Sequence, residues 1–293
     1  MTDTYEVEID LPHDRDRVWR ALTDPNEMET WFCEHAEVDL DAGRYDFWGR
    51  FTPGVPGRED GYRKIVDLEP GRLLRFAWPW RGGDSLVTIT LDGGTHLNVV
   101  HEGVPARATP MEHVPSHLWM GALGNLRSVL DTGHPGPRFD WSWPHHGGFT
   151  AEADTRAPRA AVWRALVDEG WLHPEAPLRR PARTDDEDFA WDVGVHVGVK
   201  ILEVTPDERF SLAWIGDPAT TVLTYDLADS GGTTHITVVQ SGFADDLDIQ
   251  GMAEGFFSGV AELAWILESG GRWRPGGRDS VRVLRDHTRP RRS

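Results

Sequence analysis

RDRVWRALTD at residues 15–24 and RAAVWRALVD at residues 159–168 share the core V-W-R-A-L, with Val18 and Val162 standing 144 residues apart. A chance match decays on either side, whereas a duplicated folding unit keeps its order along the chain. The order is kept. Upstream, YEVEID (5–10) faces FTAEAD (149–154). Downstream, LEPGRLLRFAW (68–78) faces VTPDERFSLAW (204–214), THLNVVHEG (95–103) faces THITVVQSG (234–242), and LRSVLDTG (126–133) faces LAWILESG (263–270). The chain is one folding unit written twice.

Between the copies, HPGPRFDWSWPHHGG is punctuated by Pro and Gly and has neither helical nor strand period, which marks a linker. Trp141 and Trp143 suit a linker that packs on a domain. The expected organisation is domain 1 at 1–133, linker at 134–147, domain 2 at 148–271 and an Arg-rich tail at 272–293. The tail carries eight arginines against Asp279 and Asp286 in a chain of net charge −18. It reads as a solvated segment or as one lying on its own acidic body.

At 293 residues each copy is long enough to bury its own core. No window nears the roughly 20 apolar residues of a membrane helix, and MTDTYEVEIDLPHD has no leader-like apolar run, so a cytoplasmic protein is expected. The acidic balance argues against nucleic acid and anionic lipid as partners. Cys33 is the single cysteine, which excludes an internal disulfide and any multi-cysteine metal site. Fourteen tryptophans are the unusual feature, because so many bulky rings must either line or fill something large.

Within the first copy, Tyr5, Val7 and Ile9 alternate with polar residues, as in a half-buried strand. Asp14 is placed to cap a helix through Val18, Trp19 and Leu22, and Asp24-Pro25 ends it and opens a second helix closing at Trp31-Phe32. Strand-like runs divided by turns follow from Ala36 to Gly103. Trp119, Leu123, Leu126 and Leu130 then recur at helical spacing, closed by Gly133. The second copy repeats the scheme, with Pro158 opening its first helix, Trp171 ending its second, and Phe256, Val260, Leu263 and Leu267 marking the long terminal helix.

This order, with VWRALTDPNEMETWF, DAGRYDFWG, LEPGRLLRFAW and the helix ending LDTG, resembles the START-like (SRPBCC, birch-pollen-allergen-like) helix-grip superfamily. The nearest branch is the one related to the activator of heat-shock-protein ATPase. The tandem form is similar to START-like proteins of actinobacterial polyketide and enediyne biosynthesis and self-resistance. The resemblance implies an α+β fold: two tandem helix-grip domains, each a curved antiparallel sheet wrapped around a long C-terminal helix with two short helices. It also implies a hydrophobic small-molecule partner held between sheet and helix. The second copy departs from the pattern where PARTDDEDFAW replaces DAGRY.

Candidate ligand-binding residues are Trp31, Phe47, Trp78, Trp80, His101 and Trp119 in the first copy and Trp171, Trp191, Trp214, Gln240, Phe256 and Phe257 in the second. These rings either enclose a cavity or fill it. Alternation places Leu97, Val99 and His101 on the inner face of one strand and Ile236, Val238 and Gln240 on its counterpart. His101 is the only catalytic candidate, as acid or base in a cyclase or aromatase. The alternative is a histidine hydrogen-bonded inside the core. The change to Gln240 means only one copy could move a proton this way. The second copy also trims Val7 and Ile9 to Ala151 and Ala153, making it the roomier one. His113 and His117 straddle Pro115 and do not make a metal pair; no metal and no cofactor is expected. No GxSxG elbow or Walker lysine pattern occurs. The leading expectation is a carrier or sequestering protein for a polycyclic molecule, with a cyclase and a co-chaperone-type protein-binding module as alternatives.

Overall fold

The computed structural model describes residues 2–93, 96–106, 115–142, 146–168, 198–215, 220–268 and 281–285. The chain divides into two compact units, one per copy. In the first, β1 (Thr2–Asp10) leads to α1 (Arg15–Thr23) and α2 (Pro25–Trp31). Six strands follow: β2 (His35–Asp39), β3 (Arg44–Trp48), β4 (Ile65–Glu69), β5 (Leu73–Ala77), β6 (Leu86–Asp92) and β7 (His96–Pro105). The long helix α3 (Pro115–Thr132) completes the unit. The second unit has β8 (Gly148–Thr155) and α4 (Arg159–Trp163), which continues as a π-helical stretch over Arg164–Asp168. It goes on through β9 (Gly198–Thr205), β10 (Arg209–Ile215), β11 (Thr220–Ser230), β12 (Thr233–Ser241) and the long helix α5 (Gln250–Glu268).

The two main sheets run β1-β7-β6-β5-β4 and β8-β12-β11-β10-β9, the same order with every neighbour antiparallel. This is the α+β, tandem helix-grip architecture that the family resemblance implies. Period-two burial sets the inner faces. On β1 they are Tyr5, Val7 and Ile9; on β7 Leu97, Val99 and His101; on β8 Phe149, Ala151 and Ala153; and on β12 Ile236, Val238 and Gln240. Helix α3 packs against β1, and α5 against β8 and β12.

Local signals explain the ends of these elements. The Asp24 side chain accepts the Glu27 N–H at 3.1 Å and Pro25 opens the helix, so α1 stops and α2 begins within one residue. Asp14 does occupy the N-cap of α1, but makes no side-chain capping bond, so only its charge acts on the helix end. Gly133 takes φ of 75° and returns its N–H to Val129 O at 2.8 Å, ending α3 in the left-handed cap.

Residues 134–142 do not hang free of the first unit. Arg138 Nη1 donates to Glu29 O at 2.7 Å and Cys33 O at 2.6 Å, its guanidinium lies 3.9 Å from the Phe51 ring, and Trp141 N–H donates to Arg50 O at 2.7 Å. The Pro and Gly residues thus exclude regular structure here without preventing docking. Within the expected Arg-rich tail, β13 (Val281–Arg285) pairs antiparallel with β1, with Val7 opposite Val283. The pairing supplies backbone partners to an edge that would otherwise present open N–H and C=O groups. The second short helix expected around Trp171 lies outside the described residues.

Cys33 is fully buried, and burial followed by the nearby Glu29 carboxylate pushes its thiol up to about 12. Thiolate reactivity requires the opposite environment. A thiol reagent at pH 8 should therefore leave the native chain unlabelled and react with one equivalent in denaturant. Rapid native labelling would place Cys33 at the surface.

Candidate functional site: the sheet–helix interiors

In the first unit the structure brings together the expected Trp31, Phe47, Trp78, Trp80, His101 and Trp119, all at most 2% exposed. Their rings meet one another. Trp78 lies 5.0 Å from Phe47, 5.5 Å from Trp80 and 5.9 Å from Trp119, all edge to face, and Phe32 stacks on Trp119 at 5.6 Å. Such geometry satisfies the ring quadrupoles, and it fills this part of the interior with the protein's own side chains. Trp31 closes the edge of the cluster, its indole N–H donating to Ala21 O at 2.9 Å.

His101 is fully buried in this cluster, stacked on Trp78 at 5.7 Å and met edge-on by Trp80 at 5.1 Å. Trp119 Nε1–H donates to its Nδ1 at 3.4 Å, which leaves Nε2–H to donate to Ser85 Oγ at 2.9 Å, and Ser85 donates in turn to Trp78 O. The direction of this chain is set at both ends, because an indole only donates and a carbonyl only accepts. It requires the neutral Nε2–H tautomer. Burial holds the imidazole pKa down to about 3. A base at Nδ1 would first have to lose the Trp119 N–H, so proton transfer through His101 is disfavoured by the same bonds that hold it.

Sequence reasoning missed Arg63. It is 2% exposed, with Nη1 donating to Asp60 O at 2.8 Å and Tyr62 O at 3.0 Å. Its guanidinium faces the rings of Phe47 at 4.6 Å and Trp78 at 5.4 Å. These cation–π contacts stand where a carboxylate would be expected. Burial lowers its pKa to about 10, opposed by Asp46 and Asp60. Ser85 was missed too, although its position two residues before the inward Val87 signals it: Val87 lies opposite His101 in the ladder.

The second unit repeats the framework with different chemistry. Gln240 takes the place of His101, opposite Leu223 on β11 as His101 is opposite Val87 on β6. Thr221 takes the place of Ser85, and Gln240 Nε2 donates to Thr221 Oγ1 at 2.8 Å. Trp214 and Phe256 take the places of Trp78 and Trp119, with ring centroids 6.0 Å apart. Phe257 is half-buried and points about 100° round the helix from Phe256. Trp171 and Trp191 lie outside the described residues. Gly103 and Gly242, two residues beyond His101 and Gln240, both adopt the left-handed region, at φ of 78° and 99°. At Gly103 a Cβ would meet Asp84 O at 2.9 Å, so glycine lets the start of β6 close onto His101 and seat Ser85.

Among the described residues no cluster of His, Cys, Asp or Glu forms a metal-ligand set, and no helix is long and apolar enough to cross a membrane. A surface depression of about 440 Å³ at the start of α1 is lined by Asp14, Arg15, Asp16, Arg17 and Arg20, and lacks the apolar wall of a small-molecule pocket.

The model of the family described as "Activator of Hsp90 ATPase homolog 1-like protein" matches residues 12–131 and 156–268, one match in each unit. The chain belongs to this family. Two domains of the family thus stand in tandem here, and the inward polar residue of β7 or β12 differs between the two copies. Among solved structures, DynU16, a protein of the dynemicin biosynthetic locus, is 19% identical over 92% of this chain and 98% of its own, with a TM-score of 0.33. CalU16 from Micromonospora echinospora is 19% identical over 44% of this chain and 77% of its own, with a TM-score of 0.35. The Aha1 dimer from Colwellia psychrerythraea is 15% identical over 42% and 97%, with a TM-score of 0.34. No curated protein matches the chain.

Proposed function

We propose that this chain binds a hydrophobic, polycyclic small molecule of the polyketide or enediyne kind in the interior of its second unit. It acts as a cytoplasmic carrier or sequestering protein in natural-product biosynthesis or self-resistance. The observation that carries this reading is the inner face of β8. Ala151 and Ala153 are buried there in the places that Val7 and Ile9 occupy in the first unit, while Leu223, Val238, Trp214 and Phe256 keep the surrounding wall apolar. A mostly apolar wall with few polar groups is the composition of small-molecule pockets. The first unit, with its rings in mutual contact, serves as the filled counterpart.

The test is a panel of aromatic polyketides followed by tryptophan emission and thermal melting. A ligand at a hundred times its Kd should add about 2.7 kcal/mol to the stability of the unit that holds it. Replacing Ala151→Val and Ala153→Ile together, which copies the first unit, should weaken binding tenfold or more while the fold persists by circular dichroism. Unchanged emission and melting across the panel, or binding indifferent to the double substitution, would count against the reading.

A further inference from the structure

The two copies differ in how they satisfy the polar group at the end of the inner β7 or β12 face. In the first unit both ring nitrogens of His101 are used: Ser85 takes the Nε2 proton and Trp119 Nε1–H reaches Nδ1. In the second unit the amide nitrogen of Gln240 uses Thr221 as His101 uses Ser85, but the residue in the place of Trp119 is Phe256, which has no N–H. Among the described residues Gln240 Oε1 has no hydrogen-bond partner, although the side chain is 1% exposed. An unmet buried acceptor is among the expensive features of a folded interior, and it is rare without a reason.

We propose that this oxygen is the anchor for a hydrogen-bond donor on the ligand, a phenolic or enolic hydroxyl or an N–H, which takes the part that the Trp119 indole plays in the first unit. This rests on the ligand-binding reading above and narrows it to donor-bearing polycyclic molecules. It also assigns Gln240 as a specificity-determining residue. Ligands whose oxygens are all ethers or ketones would leave Oε1 unmet and set a second acceptor against it.

The probes are 2-naphthol and 2-methoxynaphthalene, which share an aromatic body and differ in the donor. They are titrated calorimetrically into the full chain. The hydroxyl form should bind at least about tenfold more tightly, since the ether forfeits a hydrogen bond to a buried group. Gln240→Met should bring the two affinities together. Phe256→Trp supplies an indole from the protein itself; it should weaken 2-naphthol tenfold or more and raise the melting temperature without ligand. Trp119→Phe should leave the preference for 2-naphthol intact. Equal binding of the two probes by the unaltered chain overturns the inference and leaves the binding function standing. A preference that survives Gln240→Met, or is abolished by Trp119→Phe, overturns it by placing the donor elsewhere. Failure of both probes to bind also overturns it, the binding function being decided separately by the polyketide panel.

Discussion

Replacing His101 with glutamine is expected to flatten the acid side of the stability curve. In the folded chain His101 is neutral, with its pKa held down to about 3 by burial, against an ordinary value of 6.5. Between those limits the unfolded chain binds a proton that the folded chain refuses. The contribution of His101 is therefore fully present above about pH 6.5 and is lost as pH falls towards 3. The slope is about 1.4 kcal/mol per pH unit, and the total on the order of 4 kcal/mol. Glutamine can accept from Trp119 Nε1 and donate to Ser85 as Gln240 donates to Thr221. The variant should lose only about 1 kcal/mol at pH 7.5. Denaturant melts from pH 4 to 8 should show the two curves converging as pH falls and crossing near pH 6. Parallel curves would mean that the imidazole is solvated, and would reopen proton transfer by His101.

Truncating Trp78 is expected to be the most damaging single change in the first unit. Its ring touches Phe32, Phe47, Trp80, His101 and Trp119, and forms one of the two faces against which the Arg63 guanidinium lies. Trp78→Ala removes these contacts, opens a void and leaves a buried cation facing it. Large aromatic truncations cost about 3 to 5 kcal/mol, and loss of the cation–π contact adds to that. The melting temperature of this unit should fall by about 10 to 20 °C. Because the void would be walled by rings, added indole should enter it and recover part of the loss, as apolar molecules do in engineered cavities. Trp48→Ala, which removes a half-buried ring lying 6.0 Å from the Arg58 guanidinium, should cost under about 1 kcal/mol. Similar losses at the two positions would show that the cluster is not a close-packed core.

The sheets and long helices were legible because alternation at Leu97, Val99 and His101 and helical spacing at Trp119, Leu123 and Leu126 are local properties of the chain. The inward placement of His101 and Gln240 followed from the same rule. What the sequence hid depends on distant partners. Arg63 reads as a solvated strand-end residue until Phe47 and Trp78 are seen to take its charge. Arg138 reads as a linker cation until the carbonyls of Glu29 and Cys33 are brought to it. The pairing of Val281–Arg285 with β1 joins opposite ends of the chain, beyond the reach of any periodicity. Whether rings line or fill a space is likewise decided by their mutual angles, which composition does not contain.

Those angles carry an optical consequence. Trp78 crosses Trp80 at 70° with centroids 5.5 Å apart, and crosses Trp119 at 87° with centroids 5.9 Å apart. Indoles so close and so steeply inclined share their excited states, and the split transitions appear as a couplet of opposite signs in far-ultraviolet circular dichroism. Trp78, Trp80 and Trp119 all lie in the amino-terminal half. Loss of their coupling is an expected signal of unfolding in that half, readable in the intact chain without labels.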